Sequence, residues 1–184
     1  MDNNYKMIKE ECLKSETINP FELLMHIMDQ DFIKMHGPEH HILDGSVLLS
    51  VLHNVGLKFD LNNALDEMII RGSKMPGATC GQWGICGSAS SLGAALAIIH
   101  NTGPLSNNQH YKNNLLFTSI ALNKIGNIGG PRCCKRNAFL SMQTAVKFIE
   151  ENYSIKLGNE TIKCHYSPLN PTCLKNKCPF WSKM

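Results

Sequence analysis

The sequence predicts a mostly α protein, a helical bundle carrying a small β-hairpin and an irregular metal-binding C-terminal tail. Three observations predict it. Apolar residues return every three or four positions through most of the chain. The chain has 184 residues, 43% of them apolar and 18% charged, which is the composition of one ordinary globular domain. Beyond Tyr153 the helical period stops while cysteine, proline and asparagine accumulate. The division is therefore a single domain over 1–184, with the bundle at 1–152 and the hairpin and cysteine-rich tail at 153–184.

Asn19-Pro20, a cap followed by a proline suited to a first helical position, opens a helix whose apolar face runs through Phe21, Leu24, Met25, Met28, Phe32 and Met35. Val47, Leu48, Val51, Leu52 and Val55 form a second face that stops at Gly56. Behind an Asp60 cap, Leu61, Ala64, Leu65, Met68 and Ile69 form a third. From Ser88 to Ile99 small and apolar residues occupy nearly every side, the pattern of a helix buried at the centre. Tyr111, Leu115, Thr118, Leu122 and Ile125 continue the period. Ala138, Phe139, Met142, Ala145, Val146 and Ile149 give the clearest amphipathic face. Tyr153, Ile155 and Leu157, then Ile162, Cys164 and Tyr166, alternate with polar residues around a Gly158-Asn159 turn, which predicts the hairpin.

Charge excludes some partners. The chain has 18 Lys+Arg against 15 Asp+Glu, a formal charge of +3 with no basic run, so neither nucleic acid nor an anionic membrane surface finds a footprint. MDNNYKMIKEEC carries acidic and amide residues where a secretory signal carries an apolar stretch, and the longest apolar stretch, Gly93 to Ile99, is far short of the roughly 20 residues of a membrane span. A cytoplasmic protein is expected, in which the sequon Asn159-Glu160-Thr161 has no meaning. A domain of this length buries about 70% of its unfolded surface and folds without staples. In a reducing compartment its eight cysteines therefore read as metal ligands or redox thiols rather than as a disulfide framework.

Seven of them fall into three groups. In TCGQWGICG, Cys80 and Cys86 flank glycines that bring backbone N–H groups close to a bound group, and Cys86 stands at a helix start, where the macrodipole favours thiolate. The loop is not a nucleotide loop: Gly72 and Gly77 have the spacing, but Ala78-Thr79 replaces the required Lys-Ser/Thr. The plain alternative is two buried cysteines beside a tight turn. In GGPRCCKRN, Arg132, Lys135, Arg136 and a helix start are expected to lower the thiol pKa values of Cys133 and Cys134. Adjacent cysteines point in different directions, so the pair serves two sites, or one ligates while the other reacts. The alternative is a solvated cationic face over buried thiols. The third group is Cys164, Cys173 and Cys178-Pro179, whose proline after the last cysteine is reminiscent of iron–sulfur ligation although the spacing matches no ferredoxin run. A fourth ligand there is Cys133, Cys134, His165 or a non-protein group, and thiolate sites of this kind take iron or zinc.

MHGPEHHILDG adds His36, Glu39, His40 and His41. The Gly-Pro break separates His36 from His40, so an HExxH site fails, while His40 or Glu39 remains able to ligate or move a proton at the central cysteines. The alternative is a polar helix cap without function. His53 and His100 lie on apolar helices and read as core residues. Cys12, on an N-terminal amphipathic helix, is a surface or packing residue.

With MHGPEHHILDG, RGSKMPGATCGQWGICG, GPRCCKRNAF and the terminal CxxxxCPF in order, residues 33–181 resemble a family of cysteine-rich domains of unknown function from anaerobic bacteria and archaea, found alone or appended to SAM-dependent methyltransferases. The resemblance implies that Cys80, Cys86, Cys133, Cys134, Cys164, Cys173, Cys178, His36, His40 and His41 belong to the family pattern. No glycine-rich nucleotide unit is present, so the chain corresponds to the cysteine domain alone. A weaker likeness links ICGSASSLGAALAII to the helix-opening cysteine of small redox-active proteins. The expectation is a metal-binding protein with an iron–sulfur cluster, or zinc, on the tail cysteines, and a redox or sulfur-handling site at Cys80, Cys86 and Cys133 or Cys134. In it Arg132 or His40 balances charge or relays protons. The rival expectations are a non-catalytic module docking on a methyltransferase or redox enzyme, and a metal-free dithiol reductase.

Overall fold

The computed structural model describes residues 2–158 and 161–182. Among them are eight α-helices, α1 (Asn3–Lys14), α2 (Pro20–Met28), α3 (His40–Asn54), α4 (Leu61–Ser73), α5 (Thr79–Gln82), α6 (Gly87–Ile99), α7 (Gln109–Ile128) and α8 (Cys134–Tyr153), with 3-10 turns at Ser167–Leu169 and Lys175–Lys177. Side-chain oxygens of Asp2, Asn19, Asp60 and Asn108 accept backbone N–H groups at the starts of α1, α2, α4 and α7, satisfying donors that a helix leaves unpaired. Gly56, at φ +100°, ends the α3 region as its sequence predicts.

The centre is the pair α3 and α6. Every α3 residue from His40 to Leu52 is buried, and α6 is buried over most of its length. Close approach needs small residues: Gly45 donates its N–H to Ser91 Oγ at 2.8 Å, and a Cβ on Gly45 would stand 2.6 Å from Met68 Sδ and from the Ser91 carbonyl oxygen. That crossing explains the Ala, Gly and Ser content of α6. Helices α4 and α7 flank the pair, and α8 closes it through the fully buried Ala138, Phe139, Met142 and Ala145.

The second helix is shorter than its periodicity predicts. It ends at Met28, because Asp29 turns out to receive the tail: Tyr166 Oη donates to Asp29 Oδ1 at 2.7 Å, and His165 Nε2 lies 2.7 Å from the same oxygen. Phe32 and Met35 follow in irregular chain ahead of Gly37-Pro38, packed against the core without being helical. The hairpin is absent among the described residues. The alternating side chains instead anchor an irregular strap through Leu157, Ile162, Tyr166 and Phe180, whose only bridge among the described residues is Cys164 beside Trp181, with Cys164 N–H donating to the Phe180 carbonyl at 2.8 Å. Asn159 of the turn, and Asn159-Glu160 of the sequon, lie outside the described residues. Phe139 meets Phe180 edge-to-face at 5.2 Å, which seats the strap on α8.

His53 is exposed beside Phe59 rather than in the core. His100 stacks on His110 with ring centroids 3.8 Å apart, and burial pulls it down to about 4. Cys12 is fully buried packing under α3. No described helix is long and apolar enough to cross a membrane. Substituting Gly45→Ala is expected to force α3 and α6 apart and lower stability by about 2 kcal/mol, read as a shift in the urea midpoint at constant slope.

Candidate functional site: two thiol-lined cavities

The first turn of α8 distributes the cysteines. Cys133 is the extended N-cap residue, at φ −144°, and Cys134 is the first helical residue, so their side chains leave in different directions. Cys133 lines a small cavity with Cys164, Cys173 and Cys178. Cys134 lines a larger cleft with Cys80, Cys86, His36, His40 and His41. Of the alternatives open for the fourth member of the tail group, the cavity holds Cys133. Cys134 faces the other site, and His165 is engaged by Asp29.

Two cations hold this turn from within. Lys135 and Arg136 are 1% and 3% exposed, so they are not a solvated face. Lys135 Nζ donates to the Met28 carbonyl at 3.1 Å and sits over the Tyr166 ring, 4.9 Å from its centroid. Arg136 Nη2 donates to the carbonyls of Gly129 and Pro131 at 2.8 and 3.1 Å, fixing the loop ahead of the cysteines. Arg132 is exposed and stands at the edge of the larger cleft.

The tail cavity has a volume near 20 Å³, with Met35, Tyr166, Leu174 and Phe180 as its apolar wall. Its sulfurs accept hydrogen bonds. Arg136 N–H donates to Cys133 Sγ at 3.4 Å, Lys175 N–H to Cys173 Sγ at 3.4 Å, and Ser167 Oγ to Cys173 Sγ at 3.2 Å. The Tyr166 N–H faces Cys164 Sγ. The turn that presents Cys173 and Cys178 is tight enough to place Lys175 at φ +50°.

The larger cleft has a volume near 270 Å³ and adjoins a second hollow of about 400 Å³ behind Cys80 and Cys86, walled by Leu122, Ile125 and the Gly129-Gly130 turn. Helices α3, α6 and α8 all begin at its wall. Cys86 is the N-cap of α6, with the Ser88 and Ala89 N–H groups beside its sulfur, and Asn137 Nδ2 donates to Cys86 Sγ at 3.4 Å. The Gly37 N–H donates to Cys134. His40, 2% exposed, has Nδ1 at 3.3 Å from Oδ1 of Asp44, which is fully buried. Nε2 of His40, Oδ2 of Asp44, Oγ of Ser88 and Nδ1 of His36 are buried without a hydrogen-bond partner. Gly87 is required where it stands, since a Cβ would enter the His41 ring, whose Nδ1 lies 3.1 Å from the Met75 carbonyl oxygen. Cys80, on the one-turn α5, is the exposed thiol of the set.

Burial reverses the electrostatics expected from the cations and helix starts. It pushes Cys134 up to about 11 and raises Cys86, Cys133 and Cys164 as well, the backbone N–H groups and Arg136 offsetting only part of the desolvation. Burial likewise pulls Lys135 down to about 8. These thiols are protonated near neutrality, and a metal ion that displaces the proton is what turns such groups into ligands. Among the described residues no group of three or more His, Cys, Asp or Glu side chains stands ready to hold a metal ion. Asp44, Ser88 and Asn137 carry no cysteine-like signal, yet one was legible: Asp44 is the sole acidic residue of α3, four residues after His40.

The fold and its two cavities define a cysteine-rich, mostly helical domain. Residues 8–181 match the family of unknown function DUF5714, and the chain belongs to that family. No curated protein and no solved structure matches it.

Two outcomes follow from the thiol environments. A thiol reagent such as Ellman's reagent should modify one cysteine of the native metal-free chain much faster than the others, and Cys80→Ser should abolish that fast phase. For stability, a raised thiol pKa means that the folded chain keeps protons the unfolded chain has lost, so the stabilisation present below about pH 9 is lost as pH rises towards 11. Lys135 acts in the opposite sense, adding stability from about pH 8 upward. Five raised thiols, Cys12, Cys86, Cys133, Cys134 and Cys164, outweigh the two lysines, Lys124 and Lys135, that burial lowers. The urea midpoint of the metal-free chain should therefore fall between pH 9 and 11, and fall less in Cys134→Ser.

Proposed function

We propose that this chain is a metal-binding protein whose centre is an iron–sulfur cluster held by Cys133, Cys164, Cys173 and Cys178. The observation that carries the reading is the meeting of four thiols from separate parts of the chain around one small cavity. The donors are all sulfur, the walls are apolar, and N–H groups point at the sulfurs, the surroundings in which thiolate clusters are held and their potentials set. Zinc is the alternative occupant of an all-cysteine set. The cavity, near 20 Å³, has room for a single ion as it stands and has to widen for a cluster, and either occupant requires the thiols to release their protons. The centre would tie the irregular strap to α8, where the packing otherwise offers little regular structure. Beside it, Cys80, Cys86 and Cys134 with His40 supply the redox or sulfur-handling thiol site, in a cytoplasmic protein of the anaerobe type that the sequence motifs resemble.

A second reading is favoured by the surface. Tyr111, Leu115, Leu116 and Ile120 are exposed along α7, and Trp83, 61% exposed, stands beside the cleft loop. Such apolar exposure suits a module docked on a methyltransferase or redox enzyme, with the metal in a structural role.

The test is anaerobic purification with metal and acid-labile sulfide analysis. Acid-labile sulfide with its iron is expected, the sulfide lost in Cys133→Ser and in Cys173→Ser with Cys178→Ser, and retained in Cys134→Ser. Zinc without sulfide selects the structural module. Absence of metal, or equal loss of sulfide in Cys133→Ser and Cys134→Ser, overturns the four-cysteine assignment.

A further inference from the structure

The cleft at the start of α3, α6 and α8 holds polar groups whose arrangement the thiol chemistry above does not explain. Asp44 is a fully buried carboxylate on the central helix α3, with one oxygen unpartnered. Burying a carboxylate is costly unless a cation or donor meets it, and its nearest partner, His40, leaves its own Nε2 bare. The two form a carboxylate–imidazole pair in which Asp44 accepts from Nδ1–H and fixes the tautomer that leaves the Nε2 lone pair free. That is the outer-sphere arrangement found behind metal-bound histidines. Across the same cleft are Cys86 and Cys134, each at a helix start that stabilises the negative charge of a ligated thiolate.

The geometry points to a second metal site, separate from the tail centre: one divalent transition ion, zinc or ferrous iron, held in the cleft by Cys86, Cys134 and His40 Nε2. Cys80, exposed and carried on a single turn, or a small external thiolate entering the 270 Å³ cleft, takes the fourth position. Two thiolates and a neutral imidazole are a zinc-type donor set, and three fixed ligands with a replaceable fourth are the pattern of an open rather than a closed site. Binding releases the S–H protons of Cys86 and Cys134 to solvent, and a third proton from Cys80 where that thiol takes the fourth position, and leaves oxidation states unchanged. The side chains must turn inward to meet the ion. Asp44 is a positioning residue, acting through His40. This inference deepens the thiol-site reading of the cleft and does not depend on the tail centre.

The test uses the whole chain carrying Cys173→Ser and Cys178→Ser, stripped of metal and titrated with cobalt(II) and then zinc in competition with a chromophoric chelator. One ion per chain is expected, with thiolate-to-cobalt charge-transfer absorption. His40→Gln and Asp44→Asn should weaken zinc about 10- to 100-fold while keeping the thiolate band, and Cys86→Ser with Cys134→Ser should abolish it. Should the tail variant fail to fold, zinc-edge X-ray absorption on the otherwise unaltered full chain reads the same site: nitrogen together with sulfur around zinc is expected. Sulfur-only zinc at one ion per chain, a titration without thiolate absorption, or a stoichiometry that His40→Gln leaves untouched in affinity overturns the second site. Loss of the tail metal alone does not, since that result bears only on the four-cysteine centre.

Discussion

The first turn of α8 is the constraint on which both cavities depend. A helix start is the one place where consecutive residues change from extended to helical backbone, so neighbouring side chains can be sent to different sides of a wall. Cys133 and Cys134 use that change to face different cavities. The turn stays in place because two cations are buried beneath it: Arg136 holds the preceding loop by its carbonyls, and Lys135 reaches across to the end of α2 and lies on Tyr166. A buried cation without such acceptors would be expelled, and removing them would free the loop and the strap together.

That same interior position explains why electrostatic intuition from the sequence misjudged the thiols. Arg132, Lys135 and Arg136 do flank Cys133 and Cys134, but desolvation of the sulfurs outweighs the nearby charge, and the raised pKa values follow. Sequence shows which charges are close along the chain and does not show how much water remains. The result changes the chemistry expected of the cleft, since a protonated, sheltered thiol is a poor nucleophile and becomes a ligand only when a cation displaces its proton.

The helices were legible because burial repeats with the helical period: the faces at Val47–Leu52, Leu61–Ile69 and Ala138–Ile149 fall on helices, Val55 lies just past the end of α3, and Asp60 caps α4. Legibility fails where order comes from distant partners. Met35 continues the α2 period yet lines the tail cavity, since Asp29 ends that helix by receiving Tyr166. Alternation after Tyr153 suggested paired strands, whereas those side chains anchor a single strap to α8 and the core. Likewise the sequence marked both members of the cysteine pair and left their destinations open, because the direction of a side chain at a helix start depends on where the helix begins, to within one residue.

The strap and the cleft are joined by more than the cysteine pair. His36 lines the cleft, while the Asn170 side chain that faces its ring lines the tail cavity. Asn170 also accepts from the Thr172 backbone N–H and hydroxyl, shaping the turn that carries Cys173. Asn170 therefore stands between the Cys173 turn and His36, and one peptide bond joins Cys133 in the tail cavity to Cys134 in the cleft. The two cavities thus meet at Asn170 and at the Cys133–Cys134 peptide while each keeps its own set of thiols, so a centre in one can be lost without removing the ligands of the other.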